Sequence, residues 1–333
     1  MGKGVETGNN LLIDQINNPN RVIPFKMAPL VLIGTFLTHL FGGSAGREGT
    51  AVQISSSLAD QLNYLRKFSP ENRKIILTCG ISAGFASVFG TPMAAMIFAL
   101  EVCWIGRFRY EALYPSAIAA IIGSLVCDAW GVHHTQYHIK LVPSITVQNI
   151  LLCGGAGICF GLAARFYVSL TSIITRYFKQ TISYAPFRPM LAGVLIALTT
   201  FGIGSTKYIG LGIPTIISAF ETQLPPVDFL IKIIFTAVTI GAGFKGGEVT
   251  PLFFIGATLG NTLSMIVPLP MALLAGLGFV AVFSGASNTP IASSIMAIEI
   301  FGIECGVYAI VACTVAYLFS GRTGIYSAQI LGS

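Results

Sequence analysis

Apolar residues run along this chain in continuous blocks, most of them with no charge in the middle. They cover approximately residues 27–43, 75–105, 112–130, 147–175, 187–204, 229–243, 251–266, 269–300 and 305–320. Roughly 20 apolar residues cross a bilayer core as a helix, so these blocks predict a polytopic, all-α integral membrane protein. Several blocks are too short to cross upright, or are interrupted by Gly and Pro, as at Thr91-Pro92 and Thr289-Pro290. Helices broken at mid-membrane are typical of transporters. Non-helical backbone survives at that depth only where protein or water satisfies it, so the breaks predict a pathway lined by helix ends.

Composition strengthens this picture. With 333 residues, 54% hydrophobic and 10% charged, and a mean hydropathy of +0.78, the chain has more apolar surface than a water-soluble globule can bury. The net charge of +6 is concentrated in short linkers, at Arg66, Lys67, Arg73 and Lys74, and at Arg176, Lys179 and Arg188. There it reads as a topology signal and not as a nucleic-acid footprint. The seven cysteines lie in or beside apolar blocks without a Cys-x-x-Cys pair, which points to neither a disulfide framework nor a zinc site. Residues 1–20 are polar and rich in Gly and Asn, unlike a cleavable signal peptide.

The chain also repeats itself. Gly80, Ala83, Phe85, Thr91, Pro92, Ala94, Ile97, Ala99 and Glu101 recur, at an offset of 198, as Gly278, Ala281, Phe283, Thr289, Pro290, Ala292, Ile295, Ala297 and Glu299. At an offset of 200, Gly43, Gly46, Glu48 and Thr50 match Gly243, Gly246, Glu248 and Thr250; further upstream, Lys3 to Gly8 pairs loosely with Lys207 to Gly212. Two blocks at nearly one offset indicate duplication, with a first pseudo-repeat over 1–140 and a second over 141–333. The apolar blocks 147–175 and 187–204 have no counterpart in the first, so the first repeat is expected to lack its first two helices, as a truncated reading frame would.

The duplicated glycine-rich segments carry the candidate chemistry. Gly42 to Thr50 lies between two apolar blocks, and its glycines let backbone amides turn inward before a helix expected to start near Thr50. Gly243 to Pro251 repeats the design, with Pro251 suited to a first helical turn. A helix amino end is an anion site, and two such ends could converge on one ion. A charged Glu in the membrane is costly and usually faces a pathway, which makes Glu48 a candidate proton carrier or gate. The alternative reading is a carboxylate capping its own helix.

Gly46-Arg47-Glu48-Gly49-Thr50 resembles the Gly-Arg-Glu-Gly-Pro signature of the CLC chloride channel and transporter family. Gly246-Gly247-Glu248-Val249-Thr250-Pro251 resembles that family's Gly-Gly-x-Phe-x-Pro signature. The likeness extends over nearly the whole chain, through the Thr-Pro helices at 91–101 and 289–299 to Ile325-Tyr326-Ser327-Ala328, which looks like the family's terminal helix with its pore tyrosine. Thr50 in place of the proline, with Glu248 and Thr250, is similar to the fluoride/proton antiporter branch. Where chloride members have Gly-Ser-Gly-Ile-Pro, this chain reads Glu6-Thr7-Gly8-Asn9-Asn10-Leu11, and Asn9 fits the Met or Asn of that branch.

The resemblance implies the CLC fold, two inverted-topology pseudo-repeats around a central anion site, as a multi-pass homodimer in the cell membrane. It implies no cytoplasmic CBS domains and no cofactor. The substrates would be fluoride, or chloride, and protons. Fluoride is small and strongly hydrated, so its site needs good donors: backbone amides at Gly46, Arg47, Gly49, Thr50, Gly247 and Val249, the Asn9 amide, and the hydroxyls of Thr250 and Tyr326. The positive edge of Phe254, one turn beyond Thr250, can also face an anion. Deprotonated Glu48 would occupy an anion site and leave it on protonation, so that anion and proton move oppositely. Chloride exchangers carry their inner proton Glu as the second of a Glu-Glu pair, where this chain has Glu101-Val102. Glu248 is therefore the candidate second carboxylate, and Glu101 and Glu299 are expected to be structural, bonded to backbone near the subunit contact.

Two other motifs are weighed against this. Gly80-Ile81-Ser82-Ala83-Gly84 has the letters of a hydrolase nucleophile elbow, leaving an intramembrane serine hydrolase using Ser82 as the reading from another class. The same letters place small residues at helical spacing for close packing. His133, His134 and His138 could pair as metal ligands, but no carboxylate motif accompanies them, and a solvated linker is the simpler expectation.

Overall fold

Both Thr-Pro dipeptides break their apolar blocks, and the prolines take the first position of the helix that follows, where a missing N–H is harmless. The computed structural model describes residues 7–106 and 108–331. In chain order it contains α1 (Asn9–Asn17), α2 (Met27–Leu40), α3 (Glu48–Leu65), α4 (Pro70–Phe89), α5 (Pro92–Glu101), α6 (Leu113–Ala129), α7 (Val147–Thr181), α8 (Phe187–Ile203), α9 (Ile213–Glu221), α10 (Asp228–Gly241), α11 (Val249–Leu263), α12 (Met271–Ser287), α13 (Pro290–Phe301) and α14 (Gly306–Ser320). Two short parallel strands, β1 (Trp104–Ile105) and β2 (Ile330–Leu331), tie the end of the chain to the segment after α5.

Among the described residues, only Tyr110–Ala129, Val147–Thr181 and Ile303–Ser320 are long and apolar enough to cross a membrane by themselves. The other apolar helices have 10–17 residues. α7, with 35 residues, is about 50 Å long at 1.5 Å per residue. It exceeds a bilayer core of about 30 Å, so it crosses tilted or extends beyond the core.

The centre is built on α11 and α12. Every residue of α11 except Thr262 is buried, as is α12 from Leu273 onward. A helix apolar all round belongs inside. Gly256 and Gly260 of α11 pack directly on the α12 backbone at Gly278 and Leu274, leaving no room for a β-carbon. α6 and α8 instead turn Ile121, Ile122, Leu125, Leu195, Leu198 and Phe201 outward, as lipid-facing helices do.

The duplication is visible as a crossed pair of caps. Glu101, ending α5, accepts from the Ile291 and Ala292 amides at the start of α13, at 3.1 and 2.8 Å. Glu299 of α13 accepts from the Met93 and Ala94 amides at the start of α5, at 2.9 and 2.7 Å. Each carboxylate satisfies orphan amides at its partner's positive end.

Sequence patterning does not predict α1 or α9, because nine residues are too few for a recognisable apolar block. They are nonetheless a matched pair. Each is preceded by a glycine in the left-handed region, Gly8 at φ 58° and Gly212 at φ 73°, a conformation other residues adopt only with strain. This explains the loose pairing of Lys3–Gly8 with Lys207–Gly212, of which Lys3 to Glu6 lie outside the described residues.

The two competing motifs have structural explanations. Ser82 is buried in α4 and donates to the Ser116 carbonyl on α6 at 2.9 Å, while Gly80 and Gly84 let α4 close on α3 at Ser56 and Val52. Its hydroxyl is thus engaged in helix packing. The His134 ring bonds to the Ser87 carbonyl at 3.1 Å, and no group of three metal-ligating side chains occurs among the described residues.

Candidate functional site

The two glycine-rich loops meet head to head. Gly46 N–H donates to Gly247 O at 2.6 Å and Gly247 N–H to Gly46 O at 2.7 Å, an isolated antiparallel bridge. α3 and α11 therefore begin side by side with their positive ends together. The glycines are needed for the close approach: a β-carbon on Gly247 would stand 2.8 Å from the Gly49 amide nitrogen. A third helix end joins them, because a β-carbon on Gly49 would lie 2.9 Å from the Asn9 amide nitrogen at the start of α1.

α3 starts at Glu48, two residues before the expected position, with Arg47 as its N-cap. Glu48 is 3% exposed. It does not cap its own helix. Its carboxylate instead crosses to the other repeat and accepts from the Thr250 amide at 3.3 Å and from the Thr250 hydroxyl. Glu48 thus sits on the amino end of α11, where an anion would find the same donors. Asn9 contributes its side-chain amide beside Gly49, and the nitrogen of that amide is the donor an anion would use.

Glu248 is placed differently from its repeat partner. It is the N-cap of α11, half-buried, and accepts from the Tyr167 hydroxyl of α7 at 2.7 Å. Tyr326 is buried, its ring edge-on to Phe98 at 6.4 Å, and its hydroxyl lies within electrostatic reach of both glutamates. Gly46, Gly49, Gly247 and Val249 are buried in the junction, whereas Arg47 is exposed.

Two expected site residues are turned elsewhere. Thr50 bonds Thr35 of α2, the hydroxyl oxygens 2.6 Å apart, so it anchors α3 to α2. Phe254 packs on Gly212, beside Tyr208, with the Lys232 ammonium 5.0 Å from its ring centroid. Both Tyr167 and Lys232 escape sequence reasoning. Lys232 is fully buried in α10 and donates to the carbonyls of Tyr208 and Gly210 at 3.1 and 2.9 Å. A lysine inside an apolar block is a visible signal; a tyrosine in the block 147–175 is not.

Comparison with known proteins follows this geometry. Residues 2–321 match the family model described as voltage gated chloride channel. A "Chloride/fluoride channel protein" of Pseudomonas syringae pv. tomato is 51% identical over 338 residues, covering 100% of this chain and 75% of the relative. The "Voltage-gated ClC-type chloride channel ClcB" of Escherichia coli is 25% identical over 86% of this chain and 71% of the relative. Among solved structures, one titled a CLC-type fluoride/proton antiporter superposes with a TM-score of 0.95 at 33% identity, over 98% of this chain and 83% of that one. A slow cyanobacterial chloride/proton antiporter shares the fold, with a TM-score of 0.78 at 19% identity over 96% of this chain and 77% of that one. A membrane protein with the CLC fold and both signatures, the chain belongs to the voltage gated chloride channel family.

Proposed function

We propose that this protein exchanges fluoride for protons across the cell membrane, as a multi-pass homodimer, with Glu48 as the moving, proton-carrying gate. The carrying observation is the Glu48 carboxylate seated on the amide and hydroxyl of Thr250. Ionised, it holds those donors against any competing anion. A charge-assisted hydrogen bond contributes about 1.5–3 kcal/mol, and a helix amino end up to about 2 kcal/mol in a partly buried setting. Protonation removes the charge on which both depend. The neutral carboxyl then leaves, and fluoride takes over the Thr250 donors with help from Asn9 and Tyr326. Glu48 and the anion exclude each other, which couples proton movement one way to anion movement the other.

Fluoride is favoured as the substrate because hard hydroxyl and amide donors replace its tightly held water. The names of the Pseudomonas syringae relative and of the antiporter structure support the same choice. Glu248 acts as the second proton-coupling carboxylate, since Glu101 is committed to the α13 amides. The repeats divide near residue 140. The activity is transport and not catalysis. Proteoliposomes loaded with fluoride test the reading: fluoride efflux accompanied by proton uptake supports it, and chloride moving as readily as fluoride returns the protein to chloride exchange.

A further inference from the structure

We propose that Tyr167 is a positioning residue for proton coupling, its phenol holding the Glu248 carboxylate in one orientation at the start of α11. This rests on the reading of Glu248 as the second proton-coupling group.

The donor is rigidly mounted. Tyr167 is 0% exposed, and its hydroxyl lies 2.7 Å from Glu248 Oε1. α7 is held against α14 by glycine contacts: a β-carbon on Gly157 would stand 3.0 Å from Val315 Cβ, and one on Gly161 would meet the Ala316 carbonyl. A tyrosine on such a helix cannot follow a moving carboxylate, so Glu248 must come to it. The acceptor is also fixed at its root. Glu248 is the N-cap of α11, and the preceding Gly247 is bonded both ways to Gly46, two residues before the gate.

The chemistry gives the contact a direction. A phenol donates to a carboxylate oxygen, and such a bond is stronger when the acceptor is charged. It engages Oε1 and leaves Oε2 as the oxygen that takes and releases the proton. Tyr167 therefore selects both the rotamer and the oxygen through which Glu248 trades its proton. The other groups around Glu248 do not compete for this role. Glu48 is bonded to Thr250, Tyr326 interacts with Glu248 through charge alone, Lys232 of α10 is turned to the Tyr208 and Gly210 carbonyls, and α12 contains no titratable residue. Glu221, the titratable residue of α9, stands at the far end of that helix from Gly212.

The experiment is a double-mutant cycle on the full chain in proteoliposomes, recording fluoride efflux and proton uptake together for wild type, Tyr167→Phe, Glu248→Gln and the double variant. Loss of one charge-assisted bond corresponds to about a tenfold change in carboxylate occupancy. The expected readout is a clear fall in protons moved per fluoride in Y167F, a fall in E248Q, and a double variant no worse than E248Q alone. Glu248→Asp, which withdraws the carboxylate from the phenol but keeps its charge, should reproduce the Y167F ratio should Y167F itself fold poorly. Coupling unchanged in Y167F while E248Q uncouples overturns the assignment of Tyr167 alone. A further loss on adding Y167F to E248Q does the same, because the tyrosine would then act independently. Coupling unchanged in E248Q overturns the reading of Glu248 and the inference with it.

Discussion

Thr250→Val separates the two tenants of one site. The substitution keeps the shape of the side chain and removes the hydroxyl that bonds the Glu48 carboxylate, while the Thr250 amide, 3.3 Å from Glu48 Oε2, stays in place. One charge-assisted hydrogen bond is lost, about 1.5–3 kcal/mol, which is about 10- to 150-fold in binding at 1.4 kcal/mol per decade. At a pH low enough to keep Glu48 protonated and off the site, so that it no longer competes, fluoride that uses the same hydroxyl should show a KM raised by at least about tenfold. The gate loses the same bond, so it leaves its seat more easily, and the maximal rate should fall much less than KM rises. Chloride, more weakly hydrated, depends less on a strong donor, so discrimination in favour of fluoride should shrink. The assay is initial efflux from proteoliposomes over a range of internal fluoride, repeated with chloride. Thr250→Ser restores the hydroxyl and should recover most of the affinity. An unchanged fluoride KM in T250V, or a serine variant as impaired as the valine, would refute the shared-donor account.

Other substitutions test the scaffold around this site. Gly49→Ala must push a β-carbon to 2.9 Å from the Asn9 amide and 3.3 Å from Gly247 Cα, so transport should collapse, whereas Gly155→Ala, which faces open space, should leave the rate near wild type in the same efflux assay. Glu101→Ala strands the Ile291 and Ala292 amides at the start of α13. At about 1–3 kcal/mol for each buried group left unsatisfied, it should lower the thermal midpoint of the detergent-solubilised protein by several degrees. Ser82→Ala should leave fluoride transport intact, and a serine-reactive probe should fail to label the wild-type chain. Labelling at Ser82 would revive a hydrolytic reading.

What could be read from the residues alone followed their chemistry. Thr91-Pro92 and Thr289-Pro290 announce helix breaks because proline cannot continue a helix, and the structure breaks there. The glycine loops announce close backbone approach, which the bridge between Gly46 and Gly247 realises. The repeat made Glu48 and Glu248 look alike, yet one bonds across to the opposite repeat and the other bonds α7. No local pattern encodes that difference, since it depends on which helix each carboxylate meets after folding. For the same reason the sequence neighbours of Thr50 point it to the pathway, whereas its hydroxyl faces Thr35. α1 and α9 escaped because nine residues are too few to show a period clearly. The Glu101 and Glu299 caps were foreshadowed only as backbone-bonded carboxylates; their exchange between repeats needed the assembled fold.

The most direct test of the central claim is simultaneous recording of fluoride and pH in proteoliposomes carrying wild type or Glu48→Gln. A glutamine keeps the size of the side chain and cannot carry a proton. With the gate as described, an outward fluoride gradient drives protons inward through the wild-type protein, and in E48Q proton movement disappears whatever fluoride flux remains. Protons still moving against fluoride in E48Q would contradict Glu48 as the carrier.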